Sequence, residues 1–365
     1  MVLVIGDEEI AKMFSMGEAV EVLRRAYGEL AADDAVNSPR VDLVGLGSAS
    51  GSSDRDSNAY LLKTMSGITS RYASIRFLSE YTRWRAREGG ELRRERAKPG
   101  KFSPTRGSIL LFDRCDAKLL AVLSEGVIRN MRVGATAALA ADYLSRPGVG
   151  LAAIIGSGFM ARAHLTALSL VRPIRCAKIY SPSIVHRKNF AAEMSQSVGI
   201  DVNPAPSLED AIRDADLIAL TTNAIEPVFH KRHLREGLHV SCVRHCEIDE
   251  ECYCGFDKVY LNAKENAGII YHIAGLARDQ IPPDFVVQNY QQGYPGDSAF
   301  WRARSDLIDL VSGRALGRES ESENTCFDNS TGFAVQFTAL AGRIYELARE
   351  SGAGTTMPDD LFPGL

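Results

Sequence analysis

The stretch Gly150–Leu168, GLAAIIGSGFMARAHLTAL, decides the fold. Leu151 to Ile155 is an unbroken apolar run, the pattern of a parallel strand buried on both faces. It leads into Gly156-Ser157-Gly158-Phe159-Met160-Ala161, a G-x-G-x-x-A turn, and then into an Ala- and Leu-rich helix. Gly156 permits the tight turn, Gly158 lets a pyrophosphate approach the backbone, and Ala161 lets helix and strand pack closely. The helix N-terminus adds free N–H groups and the positive end of the helix dipole. The turn alone is a weak signal, since an ordinary strand–turn–helix unit also carries it. A strand before and a helix after make it a dinucleotide site, with Gly156, Ser157, Gly158, Phe159 and Met160 as cofactor-binding candidates.

Downstream the same alternation continues. A second strand is predicted at Ala177–Tyr180, a helix at Arg187–Val198, and a short helix after Ser207, with Asp210 placed as in a capping box. Further buried strands follow at Asp216–Thr222, Leu238–Val243 and Phe256–Leu261, the first ending Thr221-Thr222-Asn223 at the nucleotide edge. This βαβ order predicts an α/β fold with a doubly wound parallel sheet. A Rossmann site for NAD places an acid at the end of the second strand, on the ribose 2′-OH. Here that strand ends Tyr180-Ser181-Pro182-Ser183-Ile184-Val185-His186-Arg187-Lys188, with no acid. Ser181, Ser183 and Arg187 suit a 2′-phosphate, which favours NADP(H) over NAD(H). The plainer alternative makes Arg187 and Lys188 solvated first-turn residues of the next helix.

Upstream, a short strand Val2–Ile5 precedes a helix in which Ala19, Val20, Leu23, Ala26, Tyr27 and Leu30 recur at helical spacing. Asn37-Ser38-Pro39-Arg40 breaks it, and Arg40 enters a strand-like Val41–Val44. Gly45–Asn58 is rich in Gly, Ser and Asp and reads as a loop. Ala59–Met65 reads as a strand with one charge, Lys63, for which the plain reading is an end-of-strand residue reaching solvent. Residues 80–106 hold nine basic side chains against four acidic ones, a composition expected of a mobile or partly helical surface insertion with a solvated charged face. Gly107–Phe112 and Leu119–Leu123 read as two strands joined at Asp113–Asp116. From Val127 the pattern is helical, and Arg132 opens a nearly uncharged run of small residues. A charge there is costly without a partner, so Arg132 is either paired within the protein or placed for a ligand carboxylate. Phe327–Arg349 reads as an amphipathic helix with the polar start Asp328-Asn329-Ser330-Thr331-Gly332.

The bulk properties are those of a globular protein: 365 residues, 45% hydrophobic, 24% charged, net charge -4. The length predicts two domains, and the charge gives no reason to expect nucleic acid or an anionic membrane as partner. The seven cysteines (115, 176, 242, 246, 252, 254, 326) are an odd number. Without a signal-peptide pattern or a membrane-length apolar run they read as reduced thiols of a cytoplasmic protein.

Taken together, SPR at 38–40, LLK at 61–63, MRVGATAALAADYL at 131–144, IIGSGFMARAHLTAL at 154–168, GLHVSCV at 237–243 and CFDNSTGFAVQ at 326–336 resemble the ornithine cyclodeaminase/mu-crystallin family over nearly the whole chain. The resemblance implies a homodimer in which residues 1–130 and 326–365 form an α+β substrate and dimerisation domain. A Rossmann domain, 131–325, is inserted between them. It also implies a small amino or imino acid substrate whose carboxylate is held by Arg40, Lys63 and Arg132. Asn329 is placed with the substrate and Val243 with the nucleotide.

The departures bear on activity. Cyclodeaminases of the family carry an aspartate shortly after the GxHxxxV strand, where this chain has Cys246 within Arg244-His245-Cys246-Glu247-Ile248-Asp249. Asp249 takes that place only if the loop shifts, and Val133 stands where a threonine usually follows the second arginine. The expected activity is therefore NAD(P)H-dependent reduction of an imino acid or cyclic ketimine, or the reverse dehydrogenation. Lys63 and His245 are the candidate proton-handling groups. The alternatives are a lyase-type member that regenerates its bound nucleotide and a nucleotide-dependent binding protein. A metal site at Cys246, Cys252, Cys254 and His245 lacks a zinc spacing, and a nucleophilic Cys246 has no required role.

Overall fold

In a computed structural model, which describes residues 1–47, 57–86, 92–96, 106–224, 226–264, 269–273 and 299–358, the apolar run forms the strand Leu151–Ile155. It pairs in parallel with Cys176–Tyr180 on one side and Leu217–Leu220 on the other. The sheet order is Asp201–Pro204, Cys176–Tyr180, Leu151–Ile155, Leu217–Leu220, His239–Cys242, Thr325–Asp328, Lys258–Leu261, Ser305–Asp306. Every neighbouring pair is parallel. Ala152, Ala153 and Ile154 are fully buried, as a strand covered on both faces requires. From Leu151–Ile155 the chain winds outward one way through Cys176–Tyr180. It then returns to Leu217–Leu220 and winds the other way, which puts the topological switch point, where such sheets bind ligands, at the carboxyl ends of these two strands.

The small-residue helix Gly126–Leu144 packs against the glycine-turn helix Phe159–Val171. A Cβ at Gly134 would lie 2.5 Å from the Ala163 carbonyl oxygen. The Ala- and Gly-rich composition is thus what lets the two helices approach.

The second sheet is mixed: Ile269–Ile273, Arg40–Gly47, Ser57–Ile68, Tyr72–Ala86, Arg106–Asp113, Leu119–Ser124, Val2–Ile5, Thr355–Met357. Val36–Asn37 pairs with Ser57–Ile68, and Leu92–Arg96 with Tyr72–Ala86. One face buries Val44, Leu61, Met65 and Leu78. The C-terminal helix Ala334–Ser351 covers it, close enough that a Cβ at Gly67 would meet the Val335 nitrogen at 2.8 Å. The other face carries Leu43, Tyr60, Ile68 and Ile75, all exposed. Among the described residues no helix is long and apolar enough to cross a membrane.

Several expectations require correction. The loop predicted at Gly45–Asn58 is narrower, because strand pairing continues to Gly47↔Asn58 and Ser57↔Trp84; residues 48–56 lie outside the described residues. The basic stretch 80–106 is neither helical nor a detached surface segment where it is described. Thr82–Ala86 and Leu92–Arg96 form an antiparallel ladder that extends the sheet, while 87–91 and 97–105 lie outside the described residues. Its charge count masked an alternation compatible with a strand. The predicted helix Phe327–Arg349 is a buried strand, Thr325–Asp328, followed by a helix only from Ala334. Four residues are too few to display a period, and pairing with His239–Cys242 and Lys258–Leu261 decides their conformation. That strand, which straddles the expected 325/326 boundary, lies in the parallel sheet. Ile269–Ile273, from the expected Rossmann segment, lies in the mixed one.

Candidate active site

The glycine turn has the geometry that a bound dinucleotide needs. Gly156 sits at φ 112°, donates its N–H to the Tyr180 carbonyl at 2.8 Å, and a Cβ there would lie 2.6 Å from the Thr221 carbonyl oxygen. Only glycine satisfies both conditions. At Gly158, the N-cap of Phe159–Val171, a Cβ would meet nothing within 4 Å, so the space before the helix N-terminus is open. Arg162 donates to the carbonyls of Ser157 (2.7 Å) and Gly158 (3.2 Å) and is braced by Glu193. The turn's carbonyls are thereby drawn to one side, and an anion at the helix N-terminus meets N–H groups. This cradle fits a pyrophosphate.

Around it, the Ser157 hydroxyl donates to Ser181 at 3.1 Å, and Ser183 caps the helix Ile184–Val198 through the His186 N–H. Arg187 is not a solvated first-turn residue. It is 7% exposed, lies over the Tyr180 ring at 5.0 Å, and donates from Nη1 to the carbonyls of Ala205 and Pro206. Lys188 is exposed, as expected. Thr221 donates from its hydroxyl to Ile155 at 2.9 Å, and Asn223 is exposed.

Sequence reasoning passed over Glu247. Its carboxylate is fully buried and accepts from Thr222 N–H (2.6 Å), Thr222 Oγ1 (2.7 Å), Val243 N–H (3.0 Å) and Arg244 N–H (2.9 Å). It therefore ties together the ends of Leu217–Leu220 and His239–Cys242. Burial pushes its pKa up to about 7, against the opposing pull of the Thr222 and Arg244 donors. In sequence Glu247 is one acid among Glu247, Asp249, Glu250 and Glu251, and nothing in that run marks it as buried. The Cys246 thiol itself is pushed up by burial, with its nearest acceptor the Ala224 carbonyl at 3.7 Å. Asp249 is committed elsewhere, capping Glu250–Tyr253 and pairing with His230 at 2.8 Å. Among the described residues no three His, Cys, Asp or Glu side chains are grouped to hold a metal.

The three cations lie on the helix-covered side of the mixed sheet or across from it. Arg40 forks onto Asp42 (2.9 and 2.8 Å), and Asp42 faces Lys63 in register. Lys63 does not reach solvent: its side chain is 12% exposed and lies 3.5 Å from Glu80. Two residues along, Met65 faces Arg76, which is paired with buried Glu125 and sits 4.9 Å over Phe337. Arg132 approaches the same ring, at 5.3 Å.

Arg132 differs from these neighbours. It has no carboxylate partner among the described residues, and Nη1 donates to the Gln336 amide oxygen at 3.2 Å. Burial, reinforced by the Arg76 charge, pushes its pKa down to about 9. A Cβ at Gly332 would fall 2.3 Å from Nη1, so the loop before Ala334–Ser351 needs glycine there to admit the guanidinium.

The same loop supplies the remaining groups. Asn329 donates Nδ2–H to the Val133 carbonyl at 3.0 Å, while its Oδ1 is buried without a partner among the described residues. Asp328, fully buried, accepts from His245 Nδ1 at 2.7 Å, Tyr253 Oη at 3.1 Å and Ser330 N–H at 2.9 Å. Burial works to raise this carboxyl, and the bonds from His245 and Ser330 outweigh it and hold it below the ordinary carboxylate range. The Tyr253 ring stacks on His245 at 4.8 Å, and Trp301 meets it edge-on. The partnership of Asp328 with His245 is invisible in sequence, since 83 positions separate them.

The chain has relatives among known proteins. The model of the ornithine cyclodeaminase/mu-crystallin family matches residues 97–352. A Delta(1)-pyrroline-2-carboxylate reductase of Bacillus cereus is 30% identical over 253 residues, 68% of this chain and 73% of that protein. An alanine dehydrogenase of Archaeoglobus fulgidus is 24% identical over 97% of both chains. Among solved structures, the Delta(1)-pyrroline-2-carboxylate reductase of Thermococcus litoralis, in complex with NADH and L-proline, superposes with a TM-score of 0.75 at 27% identity. The match covers 98% of this chain and 100% of that one. With the glycine-turn sheet, the inserted order of the chain and the matched length in agreement, this chain belongs to the ornithine cyclodeaminase/mu-crystallin family.

Proposed function

We propose that this protein is an NAD(P)H-dependent reductase of a small cyclic imino acid, run in reverse as an amino acid dehydrogenase. Arg132 carries the reading: a buried guanidinium with no carboxylate partner among the described residues is suited to a substrate carboxylate. Arg40 and Lys63, each already beside an acid, complete the carboxylate pocket, and Asn329 presents its unpartnered oxygen to the substrate. The N–H groups at Gly158–Met160 hold the pyrophosphate, and Thr221, Thr222, Asn223 and Val243 line the nicotinamide end. When bound, the nucleotide supplies hydride chemistry at the imine carbon. The chain's own work is to orient that carbon and to handle a proton through Lys63 or His245.

The absence of an acid at Tyr180–Ser183 supports NADP(H) over NAD(H), with Ser181 and Ser183 facing the 2′ position. Arg187 contributes only if its guanidinium serves a phosphate as well as the two carbonyls it already holds. The test is a screen of cyclic imino acids with NADPH and NADH, read as loss of dihydronicotinamide absorbance. Turnover with tighter binding of NADPH is the expected result. Tighter binding of NADH would overturn the cofactor preference, and ammonia release from ornithine without net nicotinamide change would replace reduction by the lyase reading.

A further inference from the structure

Beyond the carboxylate pocket and the glycine turn, one buried carboxylate–imidazole pair bears on the proton that the reduction needs. Asp328 ends the strand Thr325–Asp328, directly across from Cys242 in register, and receives the Nδ1–H of His245 from the turn that follows His239–Cys242. We infer that Asp328 is a positioning residue, which holds His245 in its Nδ1–H form so that Nε2 delivers a proton to the substrate nitrogen. The inference rests on the reductase reading above and adds to it the origin of the proton.

Three observations carry it. The ring is held from several sides, by the carboxylate on Nδ1, by Tyr253 stacked at an interplanar angle of 8°, and by Trp301 edge-on; a bystander imidazole has no need of such restraint. The titratable groups facing it are Asp328 from the strand Thr325–Asp328 and Tyr253 from Glu250–Tyr253, with Cys242 behind Tyr253 at 3.5 Å. Next to the carboxylate, Asn329 Oδ1 is buried without a partner among the described residues, which points to a ligand N–H at this corner. Finally, Asn329 is tied by Nδ2 to Val133, the residue after Arg132. On this reading a substrate whose nitrogen and carboxylate share one carbon places its carboxylate on Arg132 and its nitrogen at this corner.

The step balances. As a hydrogen with its electron pair reaches the imine carbon from the dihydronicotinamide, the C=N π pair moves onto nitrogen. That nitrogen takes a proton from Nε2 of the His245 imidazolium, leaving a neutral ring with Nδ1–H still on Asp328, and water restores the proton. In the reverse direction the same neutral Nε2 accepts a proton from the amine.

Asp328→Asn tests this. In the full-length protein, 15N spectra of the neutral His245 ring are expected to show the Nδ1–H tautomer, and in Asp328→Asn the Nε2–H tautomer, because an amide N–H now faces Nδ1. The variant is expected to lose at least ~100-fold in kcat, as carboxylate-held histidines do when that acceptor becomes an amide. Affinity for NADPH should stay within twofold. A native ring in the Nε2–H form or unchanged kcat would overturn the proposal. A tautomer switch in a protein that reduces no imino acid would instead reject the reductase reading. Should Asp328→Asn fail to fold, His245→Asn is expected to show the same kcat loss with nucleotide affinity intact, and native kcat in that variant would sink the idea.

Discussion

At the scale of the residue, Arg132 sets the burial of a charge against stability. Its pKa of about 9 lies well below the range of a free guanidinium, through burial first and the Arg76 charge second. The folded chain thus holds this proton less tightly than the unfolded one. The cost is complete below about pH 9 and is relieved as pH rises toward the ordinary guanidinium range. Arg132→Met, of similar length and uncharged, is therefore expected to raise the melting temperature of the ligand-free protein at neutral pH. It should also abolish turnover, at least ~2–4 kcal/mol in kcat/KM, the scale for losing one partner of a desolvated charge pair. Nucleotide affinity should not change. Thermal unfolding with and without a small cyclic amino acid checks both halves: the carboxylate should stabilise the native protein and leave Arg132→Met unmoved. A variant that melts lower and still turns over would contradict the assignment.

At the scale of the element, the glycine-turn helix is placed by its neighbour as much as by its own strand. Phe159–Val171 rests on Gly126–Leu144, and at Gly134 there is no room for a methyl group. Gly134→Ala should push the helices apart, costing ~1–3 kcal/mol of stability as overpacking does. Nucleotide affinity should fall too, since the displaced helix carries the cradle at its N-terminus. Gly148→Ala is the control, because a Cβ there meets nothing within 4 Å. Chemical denaturation and nucleotide titration of the two variants distinguish the effects, and equal behaviour would show that the contact at Gly134 is not limiting. Glu247 makes a related point, joining two strand ends through one buried carboxylate rather than through chain continuity.

At the scale of the whole molecule, the mixed sheet is covered on one side only among the described residues. Val36, Leu43, Tyr60, Ile68 and Ile75 stand exposed on one sheet face, an arrangement that marks an interaction surface. We expect two copies to bury this face against each other in a homodimer. Sedimentation should then report twice 39.8 kDa, and Ile75→Asp, which sets a charge in the patch, should yield the monomer. Native protein sedimenting as a monomer would exclude the arrangement.

Local chemistry determined much of this in advance. The buried run Leu151–Ile155, the positive-φ turn at Gly156, the Ser207 cap and the small-residue helix follow from nearest neighbours in the chain, so their patterns were legible, as was the cost of a charge at Arg132 among small uncharged residues. Tertiary structure alone decided the rest. Thr325–Asp328 is a strand because two flanking strands accept it, and the basic stretch is partly sheet because Tyr72–Ala86 offers it an edge. Arg187 is buried because the carbonyls of Ala205 and Pro206 lie within its reach. Glu247 and Asp328 matter through donors drawn from separate segments, up to 83 positions away. Hydrogen bonds and burial depend on distance in space, and a sequence records that distance only where chain neighbours are also neighbours in the fold.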